Sequence, residues 1–327
     1  MNHNLNRLEN LPNEILAEIF EYISTENLFR SFYNLNYRLN KLIQSLNNHY
    51  LSLKTTDCNQ IYHYNFIAPY INILFIEGRA QLNLKSFTNI RRLILIQSND
   101  EFLEQLERIR LPYLEHLVIY LGNRRGNDCM PYFWNRIFSY DLPYLKICCM
   151  YNISLTWIHS SWRQMLSLRI LKIGDIDILV YGSILSSCPN LCFFKFTRLI
   201  SNNRPINIIQ HMNLKKLVIA IPWFEEFSQD NDMNNYFSYV PNLEKLIIHR
   251  TNESKNINES YLQFDWYGSS ITSYLPLLSR FTYYFHILIS NRLNNSTNQN
   301  IFHRIQQHFN HIHRHLYQCR FILDLIE

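Results

Sequence analysis

Glycine is scarce in this chain and accounts for only 6 of its 327 residues. Nucleotide-binding folds hold phosphates on loops that need several glycines within a short motif, and no such cluster is present. The sequence also has no P-loop and no Gly-x-Ser-x-Gly nucleophile elbow. We therefore expect no catalytic residue and no cofactor. An enzyme is the least favoured alternative, because it needs a pocket with convergent titratable groups that no motif indicates.

Long apolar runs and a strong charge excess are also lacking. No apolar run approaches the ~18 residues of a membrane span, and residues 1–10 lack the hydrophobic region of a signal peptide. The 7 cysteines are an odd number at irregular spacing, which is typical of reduced intracellular thiols. The net charge of +5 is modest for this length. These features predict an intracellular protein, of the cytoplasm or nucleus, that contacts neither membrane nor nucleic acid.

The composition is that of a globular protein, with 47% hydrophobic and 17% charged residues. Within the chain, the pattern of residues 8–48 predicts three short helices. Pro12 suits the first turn of a helix, and Glu14 favours its positive end. The apolar residues that follow share one wide face: Ile15, Leu16, Ile19, Phe20 and Ile23. Ser24 and Thr25 can cap a second helix. Three helices of this size bury little of their own apolar surface, so we expect them to dock on a partner.

This segment resembles the F-box, the docking module of Skp–cullin–F-box ubiquitin ligases. The family pattern Leu-Pro-x-Glu-Ile/Leu-Leu-x-x-Ile-Phe is matched by Leu11, Pro12, Glu14, Ile15, Leu16, Ile19 and Phe20. Leu28 matches the leucine that follows the first inter-helix turn, and Leu39 stands where many F-boxes have tryptophan. The resemblance implies that these residues bind a Skp-type adaptor and, through it, a cullin. The alternative is an ordinary three-helix cap on a larger domain.

A short phrase recurs along the rest of the chain: an apolar residue, two variable residues, an apolar residue, one variable residue and an apolar residue. It begins at Ile71, Ile90, Leu114, Leu145, Leu168, Leu191, Leu214, Leu243 and Leu278. The alternation of its last two apolar positions predicts a strand. Helices are expected between strands, at residues 100–110, 155–166, 176–187 and 224–239. Repeats of about 20–29 residues with Leu-x-x-Leu-x-Leu are typical of leucine-rich repeats.

An F-box followed by such repeats resembles the substrate receptors of these ligases. We expect an α/β fold, in which a small N-terminal three-helix F-box precedes an irregular leucine-rich-repeat solenoid with a parallel concave sheet. The expected domains are the F-box in residues 1–48, the solenoid in 49–300 and a C-terminal capping helix in 301–327. The family asparagine or cysteine eight residues after the first leucine is absent, so the loops must satisfy their backbone groups differently. A non-solenoid α/β domain with coincidental leucine phrases is the alternative.

The C-terminal run is rich in histidine. His311 and His315 are four residues apart and could share a helix face, as zinc ligands do, but no glutamate lies between them. We expect no metal and interpret this run as a solvated capping helix. Its buried stripe is expected to comprise Phe302, Ile305, Phe309 and Ile312.

The residues two and four positions beyond the start of each phrase are predicted to point to the concave face. These two columns contain no carboxylate but six lysine or arginine residues. The candidates for target binding are Arg92, His116, Ile170, Lys172, Phe193, Lys195, Lys216 and Lys245. Such a surface favours an acidic or phosphorylated segment; alternatively, the basic side chains merely keep an exposed sheet soluble.

The sequence therefore predicts a substrate-recognition subunit of a cullin-type ubiquitin ligase, which binds a Skp-type adaptor at one end and a target protein along its repeats. The alternative is a leucine-rich-repeat interaction scaffold with no connection to ubiquitination.

Overall fold

The part of the chain that the structure describes is mixed α/β, with eleven strands in one large parallel sheet and two in a small one. The computed structural model describes residues 8–46, 49–53, 66–78, 82–97, 100–122, 134, 136–138, 141–151, 153–155, 162–200, 209–221, 236–253, 271–288, 295–313 and 318–326. It separates into two compact units, Met1–Arg136 and Ile137–Glu327. Four strands of the large sheet lie in the first unit and seven in the second.

The first unit opens with three short helices. A 3-10 turn at Leu8–Asn10 precedes α1 (Asn13–Glu21), α2 (Thr25–Phe32) and α3 (Tyr37–Ser45). The side chain of Ser24 accepts the backbone N–H of Asn27 at the start of α2, and that of Asn36 accepts the N–H of Leu39 at the start of α3. These caps satisfy N–H groups that have no partner within the helix, which explains why α2 and α3 begin where they do.

The strands of the first unit follow the helices. They are β1 (Tyr50–Leu53), β2 (Ile73–Glu77), β3 (Arg92–Ile96) and β4 (His116–Tyr120), with 3-10 turns at Ala68–Tyr70 and Leu84–Ser86 and a helix, α4 (Asp100–Arg108), between β3 and β4. All pair in parallel and in sequence order, so that Leu51, Leu74, Leu93 and Leu117 lie side by side. Each of these leucines is buried, and together they form the hydrophobic side of this part of the sheet.

The second unit repeats this arrangement. Its strands are β5 (Ile147–Tyr151), β6 (Ile170–Lys172), β7 (Asp175–Asp177), β8 (Phe193–Phe196), β9 (Arg198–Ile200), β10 (Lys216–Ile221), β11 (Lys245–Glu253), β12 (Arg280–Leu288) and β13 (Gln318–Ile326). Helices α5 (Ile178–Ser187) and α6 (Asn295–His313) lie between its strands. Strands β7 and β9 form the small parallel sheet, and the others pair in sequence order. The buried row here is Cys148, Leu171, Phe194, Leu217, Leu246 and Phe281.

The prediction of parallel strands in sequence order, with the repeat leucines buried in rows, is confirmed. Two of the expected helices are present as α4 and α5. The prediction of a helix over residues 155–166 is wrong for the described part of that range. Leu155 forms a parallel bridge with Ile176, and residues 162–166 are not helical. Most of the range 224–239 lies outside the described residues.

The C-terminal segment differs from the expected terminal cap. Helix α6 does bury Ile305 and Phe309, as the apolar stripe predicted. It ends at His313, however, and β13 then pairs in parallel with β12. Every second residue of this last strand from Cys319 to Leu325 is apolar, as expected for one side of a strand that packs on a core. Phe321 packs against Tyr283 and Phe309 with ring centroids 6.0 and 5.3 Å away. The sheet therefore continues beyond the helix. The boundary at residue 48 also falls within the first compact unit.

Candidate functional site

The first candidate surface lies on α1, whose apolar residues divide into two groups. Leu16 and Phe20 are buried, and the Phe20 ring packs on that of Phe32 with centroids 5.0 Å apart. Leu28 and Leu39, the other two predicted contacts on α2 and α3, are buried as well. These four predicted adaptor contacts form the core of the three-helix bundle itself, where burial excludes them from direct contact with a partner.

The remaining predicted contacts are accessible. Pro12 and Glu14 are exposed, Ile15 is 43% exposed, and Leu11 and Ile19 are half-buried. Pro12, Ile15 and Ile19 are separated by three and four residues, so they share one side of the helix. These three residues form an accessible apolar stripe, Pro12–Ile15–Ile19, which begins at the N-cap of α1 and continues along the helix.

Arg38 holds the start of α1 in place and was not among the predicted site residues. Its guanidinium donates to the backbone carbonyl of Leu11 at 2.5 Å and to the side-chain oxygen of Asn13 at 2.7 Å. Both acceptors flank Pro12, so Arg38 on α3 sets the position of the Leu-Pro step. A basic residue alone carries no signal for this role, because the contact depends on how α3 packs against α1.

A buried histidine connects the bundle to β1. His49 donates from Nε2 to the carbonyl of Ile43 at 2.7 Å, and its ring lies 5.3 Å from that of Phe29. Burial lowers the pKa of His49, and the hydrogen bond to Ile43 offsets this effect only in part. The Tyr50 N–H also donates to the Thr25 hydroxyl at 3.1 Å. Helices α2 and α3 are therefore packed against the start of the first strand.

The predicted target-binding residues fall into two groups, one in each unit. Arg92 and His116 are register partners on β3 and β4. They line an open cavity of about 650 Å³, which also contains the ion pair between Arg91 and Glu115 at 3.2 Å.

The other six residues lie together on one side of the sheet in the second unit, which we call the open face. Ile170, Phe193, Lys216 and Lys245 are consecutive register partners, and the row continues to Arg280. Lys172 and Lys195 pair directly in the next row. All six are partly accessible, whereas the intervening residues of these strands are buried. The alternation predicted from the sequence therefore places all six on the same side.

Phe193 lies at the centre of this group. The ammonium of Lys216 is 4.7 Å from the centroid of the Phe193 ring, and that of Lys172 is 5.7 Å away. Both distances are within the range of cation–π attraction. The pKa of Lys216 is lowered by partial burial and then by repulsion from Lys245 and Lys172. The open face thus concentrates positive charge around one aromatic ring.

A cluster of aromatic rings lies further along the same face and was missed by the sequence analysis. His249 stacks on Tyr284, its register partner, with centroids 4.4 Å apart, and its Nδ1 lies 3.2 Å from Nε2 of His286. Burial, with smaller contributions from His286 and Lys195, lowers the pKa of His249 to about 4. The His249 side chain is therefore uncharged near pH 7. Alternation along β11 and β12, continued past the first two columns, predicts these positions.

Within the described ranges, no three histidine, cysteine, aspartate or glutamate residues are grouped so that they could hold a metal ion. Among the helices of the same residues, none has both the length and the apolar character needed to cross a membrane. Comparison of the chain with models of protein families and with curated proteins found no match.

Proposed function

We propose that this protein is a substrate-recognition subunit of a cullin-type ubiquitin ligase. Its N-terminal three-helix segment acts as an F-box and binds a Skp-type adaptor, and the following leucine-rich-repeat-like sheet binds a target protein. The chain needs no catalytic residue for this role, because its contribution is to hold the target near the conjugating enzyme.

One observation carries the proposal: α1 has a buried and an accessible apolar side within a bundle that already has its own core. Leu16 and Phe20 are buried inside the bundle, whereas Ile15, close to Pro12 in the sequence, is 43% exposed. An accessible apolar stripe on an amphipathic helix is a recurring feature of helix-mediated docking. It coincides with the Leu-Pro-x-Glu-Ile string on which the F-box resemblance depends.

The test is co-purification of the full chain with a Skp-type adaptor. Ile15→Glu places a charge on the accessible stripe, so capture of the adaptor should fall strongly while the fold is retained. Leu166→Glu is the matched control, because Leu166 is similarly exposed at 53% but lies in the second unit. The Leu11→Ala, Pro12→Ala double variant should behave like Ile15→Glu. Circular dichroism of each variant shows whether the fold is intact.

Equal capture of the adaptor by the wild type and by Ile15→Glu would contradict the proposal, and so would the absence of capture by the wild type. In the latter case, the two basic rows of the open face still favour the second candidate, a protein-interaction scaffold with no connection to ubiquitination.

A further inference from the structure

The open face of the second unit contains a compact group of one aromatic ring and three ammonium groups. Phe193 and Lys195 come from β8, Lys172 from β6 and Lys216 from β10, three strands that are neighbours in the sheet. Lys172 and Lys216 both lie within 5.7 Å of the centre of the Phe193 ring. Their separation is therefore at most about one Debye length at 0.1 M salt. Lys195 is the direct register partner of Lys172.

The two rows of the open face that contain this group hold no carboxylate. The first two open-face positions of β5, β6, β8, β10, β11 and β12 hold no aspartate or glutamate. Among the described residues, none of these three lysines takes part in an ion pair. By contrast, Lys215, next in sequence to Lys216, pairs with Glu244 at 2.8 Å. The pKa of Lys216 is lowered first by partial burial and then by repulsion from Lys245 and Lys172, so positive charge is crowded at this position.

The charge and chemistry of the group favour a phosphate over a carboxylate. A phosphoryl group carries nearly two negative charges near neutral pH and three acceptor oxygens, so each of three lysines can reach an acceptor. A carboxylate has a single charge and suits the planar fork of arginine, and no arginine lies among these four residues. We propose that Lys172, Phe193, Lys195 and Lys216 form a recognition site for a phosphorylated segment of the target protein.

A single-stranded nucleic acid is the competing ligand, because it also combines phosphates with aromatic stacking. Base stacking requires an open ring face, however, and two lysine ammonium groups already lie near the Phe193 ring at cation–π distance. Phe193 therefore positions the lysines rather than offering a platform for a base. Ile170, its other register partner, supplies apolar surface beside the phosphate, as a peptide side chain requires.

The site is tested by fluorescence anisotropy with the full chain. The probe is a labelled, degenerate peptide pool with a fixed central phosphoserine, compared with the same pool carrying serine. The wild type should bind the phosphorylated pool more tightly. Lys195→Gln with Lys216→Gln should weaken this binding by roughly tenfold or more, as expected when charge-assisted hydrogen bonds are lost. Lys85→Gln with Lys146→Gln removes the same charge at exposed positions elsewhere and should leave the affinity unchanged.

Thermal unfolding separates a ligand site from a structural role. The Lys195→Gln, Lys216→Gln variant relieves the repulsion between lysines and loses the cation–π contact of Lys216 with Phe193, so it should unfold close to the wild-type temperature or above it. Three results would each overturn the proposal. They are equal binding of the two peptide pools by the wild type, unchanged binding of the phosphorylated pool by the variant, and a clearly lower unfolding temperature of the variant. Tighter, variant-sensitive binding of an oligothymidylate would also overturn it and indicate a nucleic-acid site.

The identification of the ligand as a ligase target rests on the proposed function, but phosphate recognition itself does not. Adaptor capture by the same protein distinguishes the two. Phosphopeptide binding without adaptor capture would overturn the ligase role and support this site. Adaptor capture without phosphopeptide binding would support the ligase role and overturn this site.

Discussion

The side-chain amide of Asn190 donates to the backbone carbonyl of Leu166 at 2.8 Å and so joins two consecutive repeats. Asn190 stands immediately before the first leucine of one phrase, and Leu166 stands two residues before that of the preceding phrase. The same bond recurs from Asn89 to Pro69, from Asn213 to Pro189 and from Asn242 to Met212. An asparagine ladder therefore satisfies turn carbonyls on the side where the strands begin.

Removal of one ladder asparagine should destabilise the fold modestly. Asn190→Ala, Asn213→Ala and Asn242→Ala should each lower the free energy of unfolding by about 1 kcal/mol, the usual net contribution of one hydrogen bond. Urea denaturation of each variant measures the change. Asn10→Ala, at an exposed position before the repeats, is the control and should have little effect. Equal stability of all four variants would show that the ladder contributes nothing.

Substitutions in the buried row of phrase residues should lower the free energy of unfolding much more. Leu171 is completely buried between Cys148 and Phe194, so Leu171→Ala leaves a cavity and should cost roughly 2–5 kcal/mol. The matched variant Leu166→Ala removes the same atoms from a side chain that is 53% exposed and should cost much less. Chemical denaturation of the pair gives the difference, and similar losses in both would contradict the assigned burial.

Gly174 lies where two backbone segments meet at close distance. Its N–H donates to the carbonyl of Ile153 at 2.9 Å, and a Cβ at this position would lie only 2.6 Å from the same oxygen. Gly174→Ala should therefore force the backbone apart and cost about 1–3 kcal/mol. Ser183→Ala in helix α5 is the control, because alanine is favoured in helices. A Gly174→Ala variant as stable as the wild type would mean that the segments separate without cost.

Buried histidines should make the protein sensitive to acid. His211 donates from Nε2 to the carbonyl of Cys188 and accepts the Leu214 N–H at Nδ1, so the neutral ring fits its site. Burial lowers the pKa of His211 and of His49, and lowers that of His313 to about 4. The unfolded chain, with histidine pKa values near about 6.5, then binds more protons than the folded one. The contribution of these buried histidines to the free energy of unfolding is fully present above about pH 6.5 and is lost as the pH falls below that value.

The measurement is the free energy of unfolding between about pH 7 and about pH 5. His49→Gln keeps an uncharged donor for the Ile43 carbonyl, so this variant should lose less stability over the interval than the wild type. The same pH dependence in both proteins would show that His49 is not one of the groups responsible.

Much of this protein follows from local pattern. The phrase leucines predicted which strand residues face the core, because side chains alternate along any strand and a buried row requires apolar residues at every second position. The same alternation placed Phe193 and Lys216 on the open face. The start of α2 after Ser24 also follows from the sequence, since a cap acts within a few residues. Pro12 was expected in the first turn of α1, but it precedes the helix as its N-cap residue.

Other features depend on contacts between distant segments. The sequence assigned Leu16 and Ile15 the same role, and only the packing of α1 against its neighbours buries the first and leaves the second accessible. The bond from Arg38 to Leu11, the approach of Gly174 to Ile153 and the ammonium distances around Phe193 likewise join residues far apart in the chain. Periodicity determines which side of an element is apolar, because that is a property of the local backbone. Which segments that side meets, and how closely, is decided only when the whole chain packs.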